Sequence, residues 1–165
     1  MMSDHVRDKV WQGLLDVSRG YRYYDAMFRR YSRCRTVLRV LLSISAIGGI
    51  ASLLDFVPNP ALWVQISGAV IGVVVVLDLV LNPSEKAAVL GVICSHMSKY
   101  ERQARTLWES LDVEDWNDKE ILSKSAEIAQ HAETTSDMIP LPTHKGLNQK
   151  CTEETYKVEK DRYAA

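Results

Sequence analysis

Gly68–Lys86 reads GAVIGVVVVLDLVLNPSEK, and its first fourteen residues carry a single charge, at Asp78. Val73 to Val76 form an unbroken valine run, and Asn82-Pro83 ends the apolar stretch before Ser84-Glu85-Lys86. Read back to Ala61, the stretch becomes ALWVQISGAVIGVVVVLDLVL. A second apolar run, VLRVLLSISAIGGIASLL, covers Val37–Leu54 with Arg39 near its start. Each run is 18 to 21 residues long, enough for a helix to cross roughly 30 Å of hydrocarbon. DFVPNP lies between them, and its two prolines break helix and favour a reversal. The pattern predicts an all-α membrane protein with a two-helix transmembrane hairpin. Its spans are 37–54 and 61–81, joined by an extracytoplasmic turn over 55–60.

Composition hides this hairpin. The chain has 165 residues, a formal net charge of −1 and 25% charged residues, which resembles a soluble protein with room for one domain. Between Val40 and Leu81, however, the only charges are Asp55 and Asp78. Cys34, Cys94 and Cys151 stand far apart, an odd and scattered set that fits a reducing compartment and no disulfide framework. The histidines (His5, His96, His131 and His144) are equally dispersed. Cys94 and His96, two apart, point to nearly opposite sides of a helix, so no metal site is expected.

Basic flanks set the orientation. Arg29, Arg30, Arg33, Arg35 and Arg39 crowd the entry to the first span, the turn has no Lys or Arg, and Lys86 follows the second span. Both termini are therefore expected in the cytoplasm, which in a bacterium places the multi-pass chain in the inner membrane. The first run begins too late, after too much charged sequence, to be a cleaved signal peptide.

Small residues recur in both runs. Ser45/Gly49 and Gly48/Ser52 in the first suit packing within one hairpin. Gly68 and Gly72 in the second form a GxxxG, which lets helix backbones approach closely in lipid. Gln65, Gly68 and Gly72 share a helical face with Val75 and Leu79, and Asp78 flanks it. Two readings of Asp78 stand side by side. It pairs with Arg39, at matching depth on the antiparallel span, or it joins a ring of carboxylates at the mouth of a pore.

Outside the runs, helical periodicity continues. Val10, Leu14, Val17, Tyr21, Tyr24, Phe28 and Tyr31 repeat at alternating steps of four and three in an N-terminal helix over 4–36. Leu90, Ile93, Met97, Tyr100, Ala104, Leu107 and Leu111 do the same in a long helix over 84–112. Pro83 suits the first turn of that helix, with Asn82 or Ser84 as its cap. Two such stripes should pack on one another or on a neighbouring subunit. Through Arg35 the N-terminal arm carries eight basic and four acidic residues, whereas the residues after Leu81 carry eleven and fifteen. That asymmetry favours attraction between the two arms, and contact of the arginines with anionic lipid. A further helix is expected over 116–133, with Ile121, Leu122, Ile128, Ala129 and Ala132 as its stripe and Ser125 interrupting it. A linker over 134–146 and a tail over 147–165 follow; the tail can form a helix with Leu147, Cys151 and Val158 on one face.

No nucleophile elbow, zinc-protease, dinucleotide or phosphate-loop motif is present, and no triad suggests itself from spacing. The sequence reads as a non-enzyme without a cofactor. The arginines are explained by membrane orientation, so no nucleic-acid partner is expected.

The basic, tyrosine-rich YRYYDAMFRRYSRCRTVLRV leads into the hairpin, and the second span exits through LDLVLNPSEKAAVLG into VICSHMSKYERQARTLWESL. In this arrangement the chain resembles the SLATT family, two-span effectors associated with nucleotide-generating and nucleotide-sensing bacterial conflict systems. The span exit carries the best match, in Asp78, Ser84, Glu85, Lys86, Ala87 and His96. The resemblance covers roughly residues 15 to 130 and rests mainly on architecture. It implies an antiviral, abortive-infection membrane effector that assembles as a homo-oligomer and permeabilises or depolarises the bilayer, causing growth arrest or death. A recognisable attached sensor domain is missing, which implies either a separately encoded nucleotide sensor or ligand-generating partner, or direct binding of a ligand by the cytoplasmic helices. The alternative is a non-conducting membrane-anchored scaffold that recruits a partner through its cytoplasmic helices.

Overall fold

The computed structural model describes residues 3–53, 59–113, 116–137 and 144–163, with the backbone alone at 51–53. Five helices follow in order: α1 (Asp4–Leu53), α2 (Pro60–Leu81), α3 (Pro83–Ser110), α4 (Asp118–Asp137) and α5 (Lys145–Tyr163). No strand occurs among the described residues, and the all-α expectation holds. Of the two expected spans, one meets the test of length and hydropathy: among the described residues, the helical run Pro60–Ser110 alone is long and apolar enough to cross a membrane. The expected first span is instead the C-terminal part of α1, a helix of 50 residues. Nothing between Gly20 and Gly48 breaks it, since that stretch holds neither proline nor glycine. The expected turn over 55–60 lies largely outside the described residues.

Local chemistry explains the helix ends. Asn82 takes the left-handed conformation (φ 43°, ψ 52°), and its N–H reaches the carbonyl of Asp78, closing α2. Asparagine tolerates that region better than most residues. Pro83 then starts α3 with its fixed φ, and the Asn82 side-chain amide donates to the Glu85 carboxylate. Asn59, also left-handed, precedes Pro60 at the start of α2 in the same manner. The third expected helix begins at Asp118 rather than Trp116, because Asn117 caps it. The Asn117 carbonyl accepts from the N–H groups of Glu120 and Ile121, and its side-chain oxygen accepts from that of Lys119 at 3.2 Å. That helix also runs past 133 to Asp137. Thr134, Thr135 and Ser136 satisfy their hydroxyls by donating back to carbonyls of the preceding turn. The expected linker shortens accordingly, and the tail is helical from Lys145.

The chain divides into two compact units, Met1–Met27 with Leu90–Ala165, and Phe28–Val89. In the first, the N-terminal part of α1 packs antiparallel on α3. Arg7 meets Asp112 at 2.9 Å, Trp11 meets Trp108 with ring centroids 5.0 Å apart, and Gly20 faces Met97. Val6, Val10, Leu107, Leu111 and Ile121 form one buried cluster, with Trp108, Trp116, Leu122 and Ile128 packed against it. Ile121 brings in α4, and Gly13 explains why Ser125 can interrupt the α4 stripe. A Cβ at Gly13 would lie 3.0 Å from the Ser125 hydroxyl, so the two small residues let α1 and α4 approach closely. The fifth helix runs parallel to α3, with Glu159 on Arg105 and Tyr163 on Glu109. The Tyr23 hydroxyl accepts from the N–H of His144 at the start of α5.

The second unit buries much less. Leu38, Ser45, Ser67 and Val74 are buried, together with Ala87 near its end. A Cβ at Gly48 would lie 3.5 Å from the Ser67 hydroxyl and one at Gly49 would lie 3.9 Å from its Cβ, so the small residues of α1 meet α2 at Ser67. Around this narrow strip the large apolar side chains are open: among the described residues, those exposed lie between Val37 and Leu81, save Val92, Val113 and Tyr156.

Candidate functional site

Two constellations stand out, one in each unit. In the second unit Gln65, Gly68, Gly72 and Asp78 are all exposed on α2. Among the described residues, nothing lies within 4 Å of a Cβ built on Gly68 or Gly72. Among those residues the GxxxG makes no such contact, and Ser67, one residue before it, meets α1 instead. Arg39 and Asp78 are both exposed, and no ion pair joins them among the described residues. Geometry gives the reason. Leu38 is the buried position of that turn of α1, and successive helical side chains are about 100° apart, so Arg39 points away from it. Asp78 keeps a role through its backbone, whose carbonyl closes α2.

Along the expected cytoplasmic seam, the α3 half reads as spaced. Ile93, Met97 and Leu107 are buried with Leu90, Ala104 and Leu111, and Tyr100 is half-buried. The α1 half follows its spacing through Val10, Leu14 and Val17 and then changes face. Ser18 and Met27 are buried, while Tyr21, Tyr24 and Phe28 are half-buried. The tyrosines stay partly wet because each carries a hydroxyl that needs a partner. Burial raises the Tyr24 phenol above its usual value, against the opposing hydrogen bond of Ser136. In the second unit Tyr31 is half-buried, and the Lys86 ammonium sits 5.6 Å from its ring centroid.

The first unit holds an ionic centre that spacing did not reveal. Glu159 of α5 is fully buried. Its Oε1 lies 3.1 Å from Arg105 Nη2 and 3.7 Å from Arg22 Nη2, and its Oε2 lies 3.6 Å from Arg162 Nη1. Arg105 also binds Glu101 at 2.7 Å. Among the described residues, Glu159 Oε2, Thr155 Oγ1 and Ser18 Oγ have no hydrogen-bond partner. Such a centre is held by ionic attraction against a desolvation cost, and removal of one partner is expensive. Cys151, Thr155 and Glu159 form the buried stripe of α5; Leu147 and Val158, expected there, are half-buried. The four-residue step through Leu147, Cys151, Thr155 and Glu159 was the available signal, masked by the assumption that a carboxylate faces water.

Burial pushes the Cys94 thiol up to about 11, with Asp25 adding to the shift, so it stays protonated and weakly reactive. Compared with protein-family models, with curated proteins and with solved structures, the chain matches none of them.

Proposed function

We propose that this chain is a membrane-anchored homo-oligomeric effector that depolarises or permeabilises the bilayer. Its α2 and the apolar end of α1 form the inserted hairpin. The observation that carries the reading is the exposure of the apolar run: only 11% of the most apolar window is buried. The core helix of a soluble protein would be mostly buried, and an exposed apolar surface of this length requires lipid or partner chains to cover it. One hairpin cannot enclose an aqueous path, so a pore requires several chains. The open Gly68 and Gly72 supply a surface for close helix contact, and Asp78, unpaired with Arg39, supplies a carboxylate near the cytoplasmic end.

In this reading both termini are cytoplasmic, in the inner membrane of a bacterium. The resemblance to the SLATT family adds an antiviral context, a separately encoded sensor and cell death as the outcome. The test is membrane potential after induced expression, beside a Gly68→Leu/Gly72→Leu variant at equal protein level. Rapid depolarisation that the variant abolishes is the expected result; depolarisation that the variant retains overturns assembly through Gly68 and Gly72, and an intact potential at high expression points to the scaffold or to a missing trigger. The second reading, a non-conducting scaffold, is favoured by the open groove between α3 and α4 in the first unit, which leaves a surface for a partner.

A further inference from the structure

Between α3 and α4, within the first unit, lies an open groove of about 1250 Å³. Its wall carries a ladder of nearly parallel rings. His96 and Tyr100 are stacked at 26° with centroids 6.5 Å apart, and Tyr100 and His131 are stacked at 13° with centroids 5.9 Å apart. Both imidazoles are exposed. Trp116 lines another part of the groove, with its indole N–H donated to Ser110 Oγ at 3.1 Å and the Lys124 ammonium 4.1 Å from its ring centroid. The lining cations are Lys99, Arg102 and Lys124, against one carboxylate, Glu127. Lys124 also faces Glu120 at 3.9 Å, and Arg102 is turned back on Ser98 of its own helix. Lys99 has no ion pair among the described residues. Leu107 and Ile128 supply apolar surface in the same groove.

We infer that this groove binds a small ligand combining a planar aromatic ring with several negative charges, as a nucleoside triphosphate does. Near-parallel rings, with both imidazoles exposed and Tyr100 half-buried between them, give a planar group a stacking surface that depends little on its substituents. Lysine ammonium groups beside them attract phosphate oxygens as point charges, and the arginine can meet them with paired N–H groups. Neither half suffices. A bare anion would leave the rings unused, and an uncharged ring would leave the cation excess uncompensated. The inference is independent of the membrane reading and fails or stands separately from it.

The test is calorimetric titration of the full chain in detergent micelles with three probes: ATP, tripolyphosphate and adenosine. ATP is expected to bind about tenfold or more tighter than either of the others. Tyr100→Ala and, separately, Lys99→Glu/Lys124→Glu are each expected to weaken ATP binding by about tenfold or more. His131→Ala, exposed on α4, removes one ring without disturbing the core and serves where Tyr100→Ala loses helicity. Absence of ATP binding overturns the inference, as does equal affinity for ATP and tripolyphosphate, which would mean charge attraction alone. Unchanged ATP affinity in the groove variants also overturns it, by moving the site elsewhere.

Discussion

The first unit and the second are built from helices of the same chain, yet they treat their apolar residues in opposite ways. Val10, Leu14, Leu90 and Ile93 are almost fully covered, whereas Ile44, Ile47, Val76 and Leu79 are open. Amphipathic stripes with charged opposite faces let the first unit close on itself in water. Helical segments that are apolar all round have no face to spare for solvent, so a narrow strip of contact leaves most of their surface uncovered. The difference is the one the proposed function requires, with water around the first unit and an apolar medium around the second.

The comparison is first broken at Glu159, where the effect is comparable to that of the largest core truncation. Glu159→Ala, followed by thermal or denaturant unfolding in detergent, is expected to lower the stability of the first unit by about 3 kcal/mol. That figure sits at the low end for a broken buried pair, since its arginine partners are themselves partly exposed. A change below about 0.5 kcal/mol would mean that α5 docks without it. Next comes a matched pair of truncations. Leu14→Ala in the buried seam should destabilise by about 2–5 kcal/mol, while Leu79→Ala, 81% exposed, should stay within about 0.5 kcal/mol in detergent. Equal losses would erase the distinction between the units.

A smaller effect is expected where helices approach closely. Gly13→Val forces side-chain bulk against Ser125 and should destabilise by about 1–3 kcal/mol. Gly20→Ala meets only Met97 Cε, 3.8 Å from the new Cβ, and should be neutral or stabilising by up to about 1 kcal/mol through helix propensity. Circular dichroism melts of both variants test the contrast.

The smallest effect concerns Tyr163. Burial first, and then its hydrogen bond to Glu109, push its phenol up to about 12 from the ordinary 10.0. A raised value in the folded state means that the folded protein holds this proton longer than the unfolded chain. The contribution to stability is therefore full below pH 10 and declines as the pH rises toward about 12. Tyr163→Phe should flatten that alkaline decline in unfolding measured across the same range.

Much of the architecture was legible because it depends on local repetition. The steps of three and four in α3 named its buried positions, and the apolar run from Ala61 to Leu81 marked the helix that remains open. What stayed illegible depends on partners distant in sequence. Glu159 is buried because Arg22 and Arg105 arrive from two other helices, and periodicity assigns a carboxylate to solvent. The seam of α1 turned toward Ser18 and Met27 because an aromatic residue with a hydroxyl sits comfortably half-covered, which spacing does not encode. The pair between Arg39 and Asp78 failed for a related reason: matching depth on two helices fixes height, while the direction of each side chain around its axis decides contact. The groove beside α4 was hidden in the same way, since His96, Tyr100 and His131 come together only when α3 and α4 pack.

The open apolar surface between Val37 and Leu81 calls for alkaline carbonate extraction of membranes from cells expressing the full chain. The proposed insertion predicts retention of the protein in the membrane pellet, because a hairpin buried in hydrocarbon is not held by charge. Quantitative release into the supernatant would contradict membrane insertion and assign the covering of that surface to protein.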